Sequence, residues 1–140
     1  MDAILLSIPH TGTHFTMGIL KTFRGTHVLS EGWENLVNLK PIVPMRNPLA
    51  VAISWKARGK SLGPLWDGFD ALRSVAHKVG CWFPIDAPNR DFHLSQLSDF
   101  IGRPLSTEWE KVYSCGSTAE LSRQEHKQAI CLMPFYEGLL

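Results

Sequence analysis

Apolar positions along the chain fall into two kinds of run, short unbroken stretches and longer stretches with helical spacing. Ala3–Ile8 is apolar at nearly every position, the pattern of a strand buried on both faces. Thr13–Phe23 follows, with Phe15, Ile19, Leu20 and Phe23 on one helical face. Thr26–Leu29 is predicted as a second short strand, Glu31–Leu39 as a helical connection, and Lys40–Met45 as a third strand ending at Arg46. Asn47-Pro48 predicts a helix start: Asn caps, and Pro fits the first turn, where a missing N–H costs nothing. That helix, Leu49–Arg58, stops at Gly59.

Gly63–Asp70 reads as a loop and Ala71–Lys78 as a helix. Cys81–Ile85 is a further strand, Asp86-Ala87-Pro88 a turn, and Arg90–Ile101 a helix ended by Gly102. Leu94, Leu97, Phe100 and Ile101 are expected to face inward from it. Glu120–Ala129 is the last predicted helix. No repeat or Gly/Ser linker divides the chain, so residues 1–140 are expected to form a single domain. Strands alternating with helices predict an α/β layer fold with a small parallel sheet flanked by helices.

Composition narrows the function classes. Fourteen basic residues face thirteen acidic ones, so net charge gives no argument for a nucleic-acid or membrane partner. A phosphorylated ligand needs only a few local Arg and Lys residues. The run at Ala3–Ile8 lacks a basic segment before it and is broken by Pro9-His10, so cytoplasmic residence is expected. Cys81, Cys115 and Cys131 show no CxxC spacing and are read as reduced thiols. Trp33, Trp55, Trp66, Trp82 and Trp109 are read as core or loop anchors. No metal site is expected: His10 and His14 have no carboxylate or cysteine nearby to complete one.

The chemistry concentrates at Ser7-Ile8-Pro9-His10-Thr11-Gly12-Thr13-His14. A buried strand enters this turn and an amphipathic helix leaves it, which aims backbone N–H groups and the positive helix end at one point. Gly12 permits close backbone approach, and Thr11 and Thr13 carry hydroxyl donors. A Walker A loop needs an earlier glycine and a following lysine, and neither is present, which argues against a P-loop kinase.

Pro9-His10-Thr11-Gly12-Thr13 resembles the 5′-phosphosulfate loop of sulfotransferases, usually Pro-Lys-Ser-Gly-Thr. Arg46-Asn47-Pro48-Leu49-Ala50-Val51-Ala52-Ile53-Ser54 is similar to that family's 3′-phosphate motif, with the Arg, the Asn and the distal Ser in register. Gly25-Thr26-His27-Val28-Leu29 resembles the Thr-His-Leu segment that supplies its catalytic base. Phe83-Pro84-Ile85-Asp86 and Phe100-Ile101-Gly102-Arg103-Pro104-Leu105 look like later segments of the fold.

The resemblance implies a three-layer, P-loop NTPase-like α/β fold. It implies transfer of a sulfuryl group from 3′-phosphoadenosine 5′-phosphosulfate (PAPS) to a hydroxyl or amine of a small-molecule or glycan acceptor, leaving adenosine 3′,5′-bisphosphate (PAP). Pro9, His10, Thr11, Gly12, Thr13 and His14 would hold the phosphosulfate, Arg46 and Ser54 the 3′-phosphate, and His27 would be the base. His10 stands where the family has lysine, and the expectation is a protonated His10 on the phosphosulfate. Ala50 replaces a common Asp. The family's C-terminal Arg-Lys-Gly segment has no counterpart, leaving Arg103, Arg123 and Lys127 as substitutes. A module that binds PAP or PAPS without turnover is the main alternative, ahead of a small P-loop kinase and then a purely structural protein.

Overall fold

Four parallel strands organise the chain: β1 (Ala3–Ser7), β2 (Phe23–His27), β3 (Ile42–Met45) and β4 (Cys81–Pro84), in the order β2-β1-β3-β4. A computed structural model of the chain describes residues 3–106 and 118–140; Met1, Asp2 and segment 107–117, with Trp109 and Cys115, lie outside them. β1 is central, and its side chains go alternately to two hydrophobic clusters, Leu6 (with Ile8 just after the strand) to one, Ala3 and Leu5 to the other. Burial on both faces accounts for its unbroken apolar sequence.

Helices cover both faces. α1 (Thr13–Leu20) and α5 (Arg90–Ile101) send Phe15, Ile19, Leu20 and Leu97 into the Leu5 cluster. α2 (Trp33–Val37), α3 (Pro48–Ala57), α4 (Gly63–Ser74) and α6 (Arg123–Glu137) pack on the Leu6 and Ile8 side. The fold is therefore α/β with a small parallel sheet, as the alternation of elements predicts. From β1 the chain steps outward to β2, then crosses back over β1 to β3 on the other side. The reversal puts a topological switch point at the carboxyl ends of β1 and β3, the location where open α/β sheets bind ligands. Among the described residues, no helix is long and apolar enough to cross a membrane.

Several boundaries differ from the sequence expectation. α1 stops at Leu20 because Lys21 takes a left-handed φ of 65°. Phe23 consequently opens β2 instead of ending a helix, and β2 pairs in register from Ala3↔Phe23 to Ser7↔His27. The expected strand Thr26–Leu29 thus begins three residues earlier and ends two residues earlier. The connection Glu31–Leu39 is helical only at Trp33–Val37, and the Ala71–Lys78 helix ends at Ser74, followed by a 3-10 turn at Ala76–Lys78. Phe100 is 43% exposed and does not face the core.

The largest difference is α4, expected as a loop over Gly63–Asp70. Pro64 belongs to its first turn, and Leu65, Phe69 and Leu72 are fully buried at spacings of four and three. Gly68 faces Ile8, at a distance where a Cβ would make an ordinary contact. α6 likewise runs past Ala129. Ser122 and Glu125 form a reciprocal capping box at its start, with bonds of 3.1 and 2.7 Å. Pro134 lies inside it and cannot donate the helix bond to Ile130, a residue that is 44% exposed.

If α4 is a core helix, Phe69→Ala destabilises the protein by about 3–5 kcal/mol in chemical denaturation, with m unchanged. A surface-loop position would lose less than about 0.5 kcal/mol.

Candidate anion site at the sheet switch point

β1 leads directly into the turn at Pro9–His14, and the turn is held from inside. The Thr11 hydroxyl donates to the Ile8 carbonyl at 2.6 Å, and Thr11 is fully buried. That hydroxyl was expected to face a ligand; it closes the turn instead. Gly12 has φ of 90°, and a Cβ there would lie 2.1 Å from Ile85 Cδ1. Only glycine meets both conditions.

Gly12 is also the N-cap of α1. Among the described residues no side chain caps this helix, and its first turn carries no acidic residue. Its leading N–H groups, at Thr13 and His14, therefore keep the positive end of the helix uncompensated.

His10 adopts φ of 69°, a left-handed conformation costly for a non-glycine residue. Three contacts hold it. Its carbonyl accepts from Arg46 Nη1 at 3.3 Å, its Nε2 lies 3.0 Å from Lys60 Nζ, and its ring meets Trp55 edge-on at 6.1 Å between centroids. Trp55 reinforces the turn by donating its indole N–H to the Pro9 carbonyl at 2.8 Å. Trp55 is thus a loop anchor, one of the roles foreseen for the tryptophans.

These neighbours decide the charge of His10. Burial first, then the cations Lys60, Arg58 and Arg46 with His14, depress its pKa from 6.5 to about 4. A lysine donating to Nε2 also requires an imidazole lone pair. Without a bound anion His10 is therefore neutral; the imidazolium expected from the sequence is one paired with a phosphosulfate.

Arg46 leaves the end of β3 and is 8% exposed, with its guanidinium against the turn backbone. Asn47 Oδ1 accepts from the Leu49 N–H at 2.9 Å, the cap expected from Asn47-Pro48. The Asn47 N–H donates to Asp86 Oδ2 at 2.9 Å, and Tyr136 Oη–H donates to Asp86 Oδ1 at 2.5 Å. Asp86 and Tyr136 thereby fix the start of α3, a role invisible in sequence because the two lie fifty residues apart. α6 also grips α3 through Lys56 and Glu125 at 2.7 Å. Ser54 is buried within α3, at 3% exposure, and bonds none of the turn residues. Arg103 donates to Thr22 beyond the far end of α1, away from the turn. It cannot close over a ligand there.

On the other flank, His27 ends β2 exposed, with Nδ1 3.2 Å from the hydroxyl of buried Ser7. A cavity of about 320 Å³ opens beside this pair, lined by Ser7, Thr13, Met17, Phe23, Thr26 and His27 among others. The Thr13 hydroxyl is buried and makes no hydrogen bond among the described residues. One residue of the anion turn and the exposed histidine therefore share a cavity.

The depressed pKa of His10 has a testable sign. Between about pH 4 and 6.5 the unfolded chain binds more protons at this residue than the folded one, so its contribution makes stability rise with pH. Buried His93, shifted in the same direction, adds to that slope. Imidazole NMR should show His10 titrating near pH 4, and His10→Gln should flatten the stability profile across this window. Titration near pH 6.5 would contradict the arrangement. The chain matches no protein-family model, and no curated protein or solved structure is significantly similar to it.

Proposed function

We propose that the protein is a sulfotransferase-like enzyme of P-loop NTPase-like architecture that moves a sulfuryl group from PAPS to a hydroxyl or amine acceptor. The observation that carries this reading is the shared cavity: Thr13 of the anion turn and His27 line the same space of about 320 Å³. Donor and acceptor must meet at such a junction for transfer in line.

The turn at Pro9–His14 takes the 5′-phosphosulfate on its backbone N–H groups and on the unpartnered Thr13 hydroxyl. Arg46 takes the 3′-phosphate, whose oxygens a planar guanidinium binds strongly. Ser54 is the weaker member of that pair, being buried in α3 without contact to the turn. His27, as the tautomer whose Nδ1–H donates to Ser7, presents Nε2 as the base. The acceptor O–H or N–H gives its proton to Nε2, and the freed electron pair forms the new bond to sulfur. The bond from sulfur to the 5′-phosphate oxygen breaks with its electron pair on PAP. The cavity admits a small acceptor, with Met17 and Phe23 against its apolar part and Thr26 beside its polar part.

A specific observation favours a second reading, a PAP-binding module without turnover. His10 is neutral where the family carries a lysine.

Calorimetry with PAP, AMP and ATP tests the nucleotide site. PAP binds most tightly, and Arg46→Ala weakens it by about one to two orders of magnitude. Equal affinity for PAP and AMP would sink the proposal. Turnover separates the two readings: His27→Gln leaves PAP affinity intact and lowers transfer by about 10²-fold or more. A protein that binds PAP yet transfers nothing to any acceptor is the non-catalytic module.

A further inference from the structure

The turn at Pro9–His14 has no lysine of its own, yet one reaches it from the far end of α3. Gly59, with φ of 71°, reverses the chain so that the Lys60 N–H returns to the Trp55 carbonyl at 3.1 Å. The Lys60 ammonium then lies 3.0 Å from His10 Nε2 and 5.1 Å from the centroid of the Trp55 ring. Trp55 is itself fixed to the turn through Pro9. The ammonium is therefore positioned from two sides, by a lone pair and by a π face. It has three N–H bonds and spends one on His10, so two remain for an anion. His10 is in turn gripped at its carbonyl by Arg46. One loop residue thus joins the two cations of the site.

We propose that Lys60 supplies the fixed positive charge for the 5′-phosphosulfate at this turn, with His10 as its neutral support. The inference rests on reading the turn as a phosphosulfate site. Lys60 does the electrostatic work that a lysine inside the loop would do, and it neutralises charge as it develops on the leaving phosphate. His10 and Trp55 are positioning residues: they hold the ammonium at the turn against its preference for water.

Two nucleotides separate the possibilities, because PAP and adenosine 3′-phosphate differ only in the 5′-phosphate. Calorimetric affinities for both are measured on the wild type, Lys60→Gln and Lys60→Arg. Lys60 is exposed, and unchanged melting temperatures establish that the variants fold. The wild type prefers PAP by about tenfold or more. Lys60→Gln loses most of that preference while its affinity for adenosine 3′-phosphate is unchanged, and Lys60→Arg restores it. A preference that survives Lys60→Gln overturns the assignment of Lys60 alone. A wild type without any preference for PAP overturns the phosphosulfate reading, and this inference with it.

Discussion

A hydrogen bond from the indole N–H of Trp55 to the Pro9 carbonyl, 2.8 Å long, ties α3 to the turn after β1. Both ends of α3 bear on the same loop because of it. The helix begins just after Arg46, at the carboxyl end of β3, and ends where Gly59 folds the chain back to Lys60. Strand order brings the two cations within reach, since β1 and β3 are neighbours with their carboxyl ends side by side. The indole bond sets the distance. Around it, α6 steadies α3 through Glu125 and, by way of Tyr136 and Asp86, fixes the backbone at Asn47.

Positive charge is concentrated around the turn at His10. Arg46, Arg58 and Lys60 surround an imidazole that their field, together with burial, keeps neutral. Like charges gathered around a helix N-terminus repel one another, and a bound dianion relieves that repulsion. An anion that bound at this turn would therefore stabilise the folded chain by mass action as well as by contact. The left-handed backbone at His10 fits the same picture, since strain in a turn persists only where its surroundings over-determine it.

Local signals carried much of the fold into the sequence. The doubly buried run at Ala3–Ile8, the Asn47-Pro48 cap and the α5 helix at Arg90–Ile101 each depend on neighbouring residues, and each stands where the pattern puts it. α4 was hidden because Gly63, Pro64 and Gly68 break up its first half, while its buried face is Leu65, Gly68, Phe69 and Leu72. β2 was misplaced because its edge position leaves no apolar alternation to read. At the site, the turn and Arg46 were legible as motifs. The charge of His10 was not, because Lys60 acts on it across fifty residues and a glycine-dependent reversal. Thr11 shows the same limit on a smaller scale, its hydroxyl direction being set by the Ile8 carbonyl.

The most direct measurement is a crystal structure of the protein with PAP. The account predicts the 5′-phosphate within about 3 Å of the Thr13 and His14 N–H groups and of Lys60 Nζ, with the 3′-phosphate on Arg46. PAP bound elsewhere, or bound with neither phosphate at the turn, would contradict it.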